Sequence, residues 1–302
     1  MSSPFEERPV GVIHDIGYRP YSGPRLAEGA VARSLFVTGL RNCFGLGRSG
    51  RSKVLPMILL AIMLLPALIL VGVLVQARDV LNLDSQIVAY SAYPMTLLLI
   101  ITVFVAAQAP TLISRDLRFR TISLYLARPL QRSTYVLVRV ASLTAAVFLL
   151  IASPLLLLYV GGLLAELPVW PETKDVGVAL VGALLLAAVL SGLAALVSAV
   201  TTRRGLAVTA VIVVLLVSYT VVAAVQGIAT ELGNDTVAEL AGLFSPYTLV
   251  DGLQVWLFDT DPSGPAGPTS TGMGLAFAFV TVLVIAGSVG GLLLRYRKVG
   301  SV

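Results

Sequence analysis

Residues 54–77 read VLPMILLAIMLLPALILVGVLVQA, which is 24 residues without one charged side chain. A helix rises about 1.5 Å per residue, so a stretch of this length crosses the roughly 30 Å hydrocarbon core of a bilayer. Five more apolar stretches follow at 90–113, 140–164, 176–200, 206–226 and 273–294. Long apolar runs without alternating polarity are typical of membrane helices rather than barrel strands. The sequence therefore predicts an all-α integral membrane protein with six transmembrane helices.

The composition supports the same class of protein. Hydrophobic residues make up 57% of the 302-residue chain and charged residues only 12%, whereas soluble domains carry about 25% charged residues. The single cysteine, Cys43, excludes a disulfide framework. With the single histidine, His14, it leaves too few ligands for a structural zinc site. We expect neither a metal centre nor a catalytic Cys–His pair.

The charged residues predict the orientation of the chain. If both termini are cytoplasmic, 19 of the 21 basic residues lie inside and 11 of the 16 acidic residues lie outside. An excess of Arg and Lys in cytoplasmic loops is what orients membrane proteins. We therefore assign the net charge of +5 to orientation and expect no nucleic-acid partner. Arginine richness with only three lysines favours a GC-rich bacterium, and hence the bacterial inner membrane.

The expected organisation has three parts. Residues 1–53 form a cytoplasmic arm and an interfacial helix, residues 54–294 form the transmembrane domain, and residues 295–302 form a cytoplasmic tail. The transmembrane domain contains two long connections, a cytoplasmic segment at 114–139 and an extracellular segment at 228–272.

An amphipathic helix is predicted at 31–44, just before the first span. Its apolar face carries Phe36, Val37, Leu40, Cys43 and Phe44, and Arg41 lies on the opposite face. Such a helix lies in the cytoplasmic interface of the membrane. The alternative is a short helix packed against the protein's own cytoplasmic loops.

Motifs for nucleotide chemistry are not convincing in this sequence. Residues 45–50 read GLGRSG and match the dinucleotide fingerprint, but no strand precedes them and no acid follows about 20 residues later. The chain has no G-x-x-x-x-G-K-[S/T] phosphate loop. We therefore expect a chain that is not an enzyme and binds no cofactor itself.

The predicted spans also lack ionisable groups in their central portions, which disfavours a proton-driven carrier. Their polarity is mild. Three side chains are candidates either for a transport pathway or for hydrogen bonds between helices: Gln108, Tyr159 and Tyr219.

Residues 114–132, SRDLRFRTISLYLARPLQR, mix arginines with apolar side chains on the cytoplasmic side. A segment of this kind either docks into a partner protein or is held by anionic lipid. Composition alone favours neither of these two interpretations over the other.

This segment resembles the one that follows the second span in permease subunits of type-2 ABC exporters, which export drugs, lipids and polysaccharides. The matching positions are Asp116, Thr121, Leu124, Leu126, Ala127, Pro129, Arg132 and Arg139. The family more often has Glu at Asp116 and Gly at Arg120.

The resemblance implies roles for three regions. The segment is the coupling helix, which contacts the ATPase through Arg115, Asp116, Arg118, Thr121, Arg128, Pro129 and Arg132. The helix before the first span is the elbow helix, with Phe36, Leu40, Arg41 and Phe44. Residues 228–272, which include FSPY at 244–247, are short extracellular helices.

The resemblance also implies an assembly. Two permease subunits, identical or related, form the pathway, and two separate P-loop ATPase subunits hold ATP and Mg²⁺ on the cytoplasmic side. The alternatives are a membrane scaffold that does not transport, or a passive channel.

Overall fold

The computed structural model describes residues 27–47, 50–81, 85–114, 130–201 and 203–299, together with Gly23. These ranges are helical and contain no β-strand, so the all-α prediction is confirmed for them. The first helices are α1 (Glu28–Cys43), α2 (Gly50–Leu81), α3 (Tyr93–Thr96), α4 (Leu98–Leu112) and α5 (Arg132–Leu164). The later ones are α6 (Val169–Val200), α7 (Arg204–Ile212), α8 (Ser218–Glu231), α9 (Asp235–Ala241), α10 (Pro246–Phe258) and α11 (Thr271–Val299).

Five helices in the described ranges are long and apolar enough to cross a membrane. They are Gly50–Gln76, Arg132–Leu164, Val169–Val200, Arg204–Glu231 and Thr271–Arg297. Their outer faces carry large exposed apolar side chains, such as Leu68 on α2 and Phe279 on α11. Soluble monomers rarely expose contiguous apolar surface of this kind. These features fit a multi-pass membrane protein.

The stretch predicted as the second span, 90–113, is not one continuous helix. It forms α3, a break at Leu97 where φ is −114° and ψ is 21°, and then α4. The 15 residues of α4 rise only about 22 Å, which is short for a lipid-facing span. Most of α4 is buried, because it packs against α1, α2, α5, α6 and α7. A helix that is apolar all round belongs in such a central position.

The hydroxyl of Tyr93 joins α3 to the middle of α2. Its Oη donates to the carbonyl oxygen of Met63 at 2.6 Å. Met63 lies on the same helical turn as Pro66, which has no N–H to donate. The tyrosine therefore bonds to a backbone carbonyl of α2 close to a proline, and proline is a recognised cause of helix bending.

Small residues set the close helix contacts. Gly161 of α5 lies against Val71 of α2, and a side chain at that glycine would overlap the valine. Gly192 of α6 faces Ser288 of α11 in the same way. These positions allow α2, α5, α6 and α11 to approach closely, as small residues do between membrane helices.

The predicted extracellular segment, 228–272, contains short helices. After α8 the chain forms α9, a 3₁₀ turn at Gly242–Phe244, and α10, which packs on α6 and α11. The end of the bundle that carries α9 and α10 is called the α10 end below, and the opposite end is called the α1 end. Within the span Arg204–Glu231, residues Val213–Val217 form a π-helical segment between α7 and α8.

Candidate functional site

Helix α1 packs on α5 along a seam of Leu35, Gly39 and Cys43. A Cβ atom at Gly39 would lie 2.6 Å from Ser142 Oγ and 2.8 Å from Ser142 Cβ. The Ser142 hydroxyl shares its one hydrogen between the carbonyl oxygens of Val138 at 2.8 Å and Phe36 at 3.2 Å. The sequence pattern indicated neither Leu35 nor Gly39 as a contact residue, because the hydrophobic pattern of one helix does not show on which side its neighbour packs.

Glu28 links the start of α1 to the start of α5. Its Oε1 accepts from the backbone N–H of Gln131 at 3.1 Å and from Thr134 Oγ1 at 2.7 Å. Gln131 is the residue just before α5, where N–H groups lack partners within the helix and the helix dipole attracts negative charge. The hydrogen bond from Thr134 first, and that from Gln131 second, lower the pKa of Glu28 below its ordinary value.

In the sequence, the predicted coupling residues come just before α5 or at its first position. Arg132 is the first residue of α5. The others lie outside the described residues: Arg115, Asp116, Arg118, Thr121, Arg128 and Pro129.

The predicted elbow residues are spread around α1. Phe36 and Leu40 are half-buried, and Arg41 is exposed. The ring of Phe44 lies 5.7 Å from that of Phe104 on α4. Helix α1 therefore packs against helices of the bundle, a contact that neither the interfacial prediction nor the alternative of packing on cytoplasmic loops specified.

The three predicted pathway residues lie on different helices and contact different partners. Gln108 is buried in α4. The hydroxyl of Tyr159 lies 2.9 Å from Thr173 Oγ1, where α5 turns into α6. Tyr219 on α8 packs edge-on against Tyr247, with ring centroids 5.8 Å apart.

Tyr247 joins α10 to the central helix α4. Its hydroxyl lies 2.6 Å from Thr102 Oγ1 and donates to the carbonyl oxygen of Leu98 at 3.2 Å. Both Thr102 and Tyr247 are fully buried. The sequence singled out residues 244–247 but not Thr102, because a threonine in an apolar span carries no signal of its partner.

A cavity of about 380 Å³ opens at the α10 end, between the segment before α3, the start of α6 and the end of α10. Glu172, in the first turn of α6, is 4% exposed and forms part of its wall. Its Oε2 accepts from the Tyr90 hydroxyl and from Gln86 Nε2, the latter at 3.1 Å. Gln86 also donates to the carbonyl oxygen of Leu158, which ties the segment before α3 to α5. Neither Tyr90 nor Glu172 was predicted from the sequence as a site residue.

Asp251 of α10 holds the loop that follows the helix. Its carboxylate accepts from the backbone N–H of Ser263 at 3.0 Å and from the Ser263 hydroxyl at 2.6 Å. Burial raises the pKa of Asp251, and these hydrogen bonds oppose the rise. The aspartate thus anchors Ser263 in the loop after α10, and the start of that loop contributes Asp259, Thr260 and Asp261 to the cavity lining.

Comparisons with known proteins do not assign the chain to a family. No family model matches it, and no curated protein matches it in sequence.

Proposed function

We propose that the chain is the membrane-spanning subunit of an ATP-driven exporter of the type-2 ABC class, in the bacterial inner membrane. In this proposal both termini are cytoplasmic, the α1 end faces the cytoplasm, and α4 is the second of six crossings. A buried helix need not match the lipid thickness, because surrounding helices rather than lipid cover its ends. The main alternative is a membrane scaffold that does not transport.

The proposal is supported mainly by the contacts between α1 and the start of α5. Glu28 bonds to Gln131 and Thr134, and Gln131 lies inside the basic segment 114–139 that resembles a coupling helix. Helix α1 also packs along α5 through Gly39. A protein that pushed on the basic segment would therefore move α1 and α5 together.

These contacts suggest how an ATPase would act on the bundle. Helix α5 contacts α2, α4, α6 and α11, so a movement at its first turn reaches most of the core. Rigid helices that shift against their neighbours are a common way of switching between conformational states. In this proposal ATP hydrolysis on the partner drives such a shift, and the pathway opens to alternate sides.

In this proposal a partner subunit supplies the energy for transport. The sequence has no P-loop, and its apolar spans offer no obvious site for a coupling ion. Two P-loop ATPase subunits, with ATP and Mg²⁺, would supply the energy to a pair of these membrane subunits. The apolar side chains exposed on α2 and α11 would face lipid or the second membrane subunit.

The test is to purify the tagged chain from its native membrane in mild detergent and identify the proteins that come with it. We expect a stoichiometric P-loop ATPase, which is lost when Arg118→Glu and Arg128→Glu are combined. The matched control is Arg295→Glu with Arg297→Glu, which reverses two exposed arginines of α11 outside the basic segment. The control pair should keep the ATPase bound.

Two results would count against the proposal. A chain that purifies alone as a well-behaved oligomer would favour the scaffold. An ATPase that stays bound to the Arg118 and Arg128 variant would refute the assignment of the coupling segment.

A further inference from the structure

The cavity at the α10 end has a negative wall and an apolar wall. Among the described residues, its charged lining consists of four carboxylates, Glu172, Asp175, Asp259 and Asp261, and one ammonium group, Lys174. The apolar wall includes Val178 and Phe258. A volume of about 380 Å³ is within the range of pockets that hold small organic molecules.

Glu172 is the buried acid in this wall, and one of its oxygens is free for a ligand. Tyr90 and Gln86 both donate to Oε2. Within the described part of the chain, Oε1 accepts no hydrogen bond, and it is not sealed from the cavity. Oε1 can therefore accept a hydrogen bond from a donor that enters the cavity. A carboxylate that is 96% buried is costly unless a positive charge or further donors complete its environment.

Within the described ranges, no basic side chain of the protein forms an ion pair with Glu172. The ion pair that the structure describes, between Arg78 and Glu166, is elsewhere at the same end of the bundle. Lys174 is exposed and makes no ion pair with the rim acids among the described residues. The three rim acids Asp175, Asp259 and Asp261 are exposed. They add negative potential at the mouth, which attracts cations and repels anions.

The donor set favours an organic cation over a metal ion. Among the described residues, no three His, Cys, Asp or Glu side chains are close enough to hold a metal. An ammonium group needs no such cage, because one of its three N–H donors can bond to Glu172 Oε1 while the others bond to water or to rim oxygens. The hydrocarbon part of the same molecule would contact Val178 and Phe258.

We propose that this cavity binds a small primary amine in its ammonium form, with the nitrogen on Glu172 Oε1 and the hydrocarbon chain against the apolar wall. The site is formed within one chain and needs neither an ATPase nor a second membrane subunit. The proposal is therefore independent of the transport proposal above.

The test uses the full chain alone, in nanodiscs of zwitterionic lipid, with n-butylammonium as the probe. Binding is followed by saturation-transfer NMR, with n-butanol and butyrate as neutral and anionic molecules of the same length. Empty nanodiscs correct for partition into lipid. We expect saturable binding of butylammonium only, weakened by added salt because the attraction is electrostatic.

Two matched variants locate the site. Glu172→Gln keeps an oxygen that accepts from Tyr90 and Gln86 but removes the charge, and we expect at least a tenfold loss of butylammonium affinity. Glu166→Gln removes an exposed acid at the same end that does not line the cavity, and it should leave binding unchanged. If Glu172→Gln does not fold, the rim variant Asp261→Asn replaces it, with an expected loss of several-fold.

The proposal is overturned by equal binding of butanol and butylammonium, or by no saturable binding to the folded chain. It is also overturned if Glu172→Gln and Glu166→Gln bind the amine as the unaltered chain does.

Discussion

Replacing Gly39 by alanine tests the packing of α1 on α5. The new methyl group would lie 2.6 Å from Ser142 Oγ and 2.8 Å from Ser142 Cβ, whereas ordinary contact begins at 3.4 Å. Rotation of the Ser142 side chain moves Oγ but leaves Cβ in place. The two helices must therefore separate by about 0.6 Å at this point.

The size of the effect follows from two opposing terms. Overpacking of a close contact costs about 1–3 kcal/mol, and alanine gains about 0.5–1 kcal/mol over glycine inside a helix. With the middle value of each range, the net loss in the free energy of α1 docking is about 1 kcal/mol. A loss of that size shifts an equilibrium by a factor of about 5.

The assay is amide hydrogen exchange of α1 in the detergent-solubilised chain, because exchange reports local opening free energies. We expect protection of α1 amides to fall by about fivefold in Gly39→Ala. Gly29→Ala is the control within the same helix, since nothing lies within 4 Å of a Cβ atom there. It should leave protection unchanged or slightly raised.

A double-mutant cycle identifies the atom responsible. Ser142→Gly removes the opposing Cβ, so Gly39→Ala should cost much less in that background, with a coupling energy of about 1 kcal/mol or more. Ser142→Ala keeps that Cβ and should not relieve the clash. The reasoning is refuted if Gly39→Ala behaves like Gly29→Ala, or if Ser142→Ala rescues as well as Ser142→Gly.

Three further results are expected. Glu28→Gln should increase hydrogen exchange in the first turn of α5. In the unaltered chain the pKa of Glu28 is lowered on folding, so its contribution is complete above about pH 4.5 and is lost as the pH falls through the lowered value; the Gln variant should lack this pH dependence. Thr102→Val should lower the free energy of unfolding by about 1 kcal/mol, because it removes a hydrogen-bond partner of the Tyr247 hydroxyl. Thr102→Ser keeps that partner and should leave the free energy of unfolding unchanged. Asp251→Ala should increase protease cleavage after α10, because Ser263 loses its acceptor, whereas unchanged cleavage would show that the loop needs no such anchor.

Much of the architecture was predictable because the responsible signals are local. An apolar run of 20 residues or more indicates a helix of spanning length without any knowledge of its neighbours. The helix before residue 54 was predicted from its amphipathic pattern, and the structure places α1 there. The short helices after residue 228 were implied by the family resemblance, and the structure has α9 and α10 in that region. The apolar stretch 90–113 was harder, because hydropathy does not register the break at Leu97 or the burial of α4.

Contacts between distant residues were not predictable from these signals. Glu28 and Gln131 are 103 positions apart, and Tyr90 and Glu172 are 82 apart. In the sequence, Glu172 is one of several acids between the third and fourth predicted spans, and Gly39 interrupts an amphipathic pattern. Only their neighbours reveal that one forms a cavity wall and the other a close helix contact.

The sequence by itself determined the class of protein, the places where apolar helices form and the asymmetry of charge along the chain. These properties depend on composition over about 20 residues and on the thickness of a bilayer. The tertiary structure decided which faces of those helices meet, that α4 is central, and that a buried carboxylate opens into a cavity. A helical pattern specifies an apolar face but not its partner, and the partner is selected by the close packing of the whole bundle.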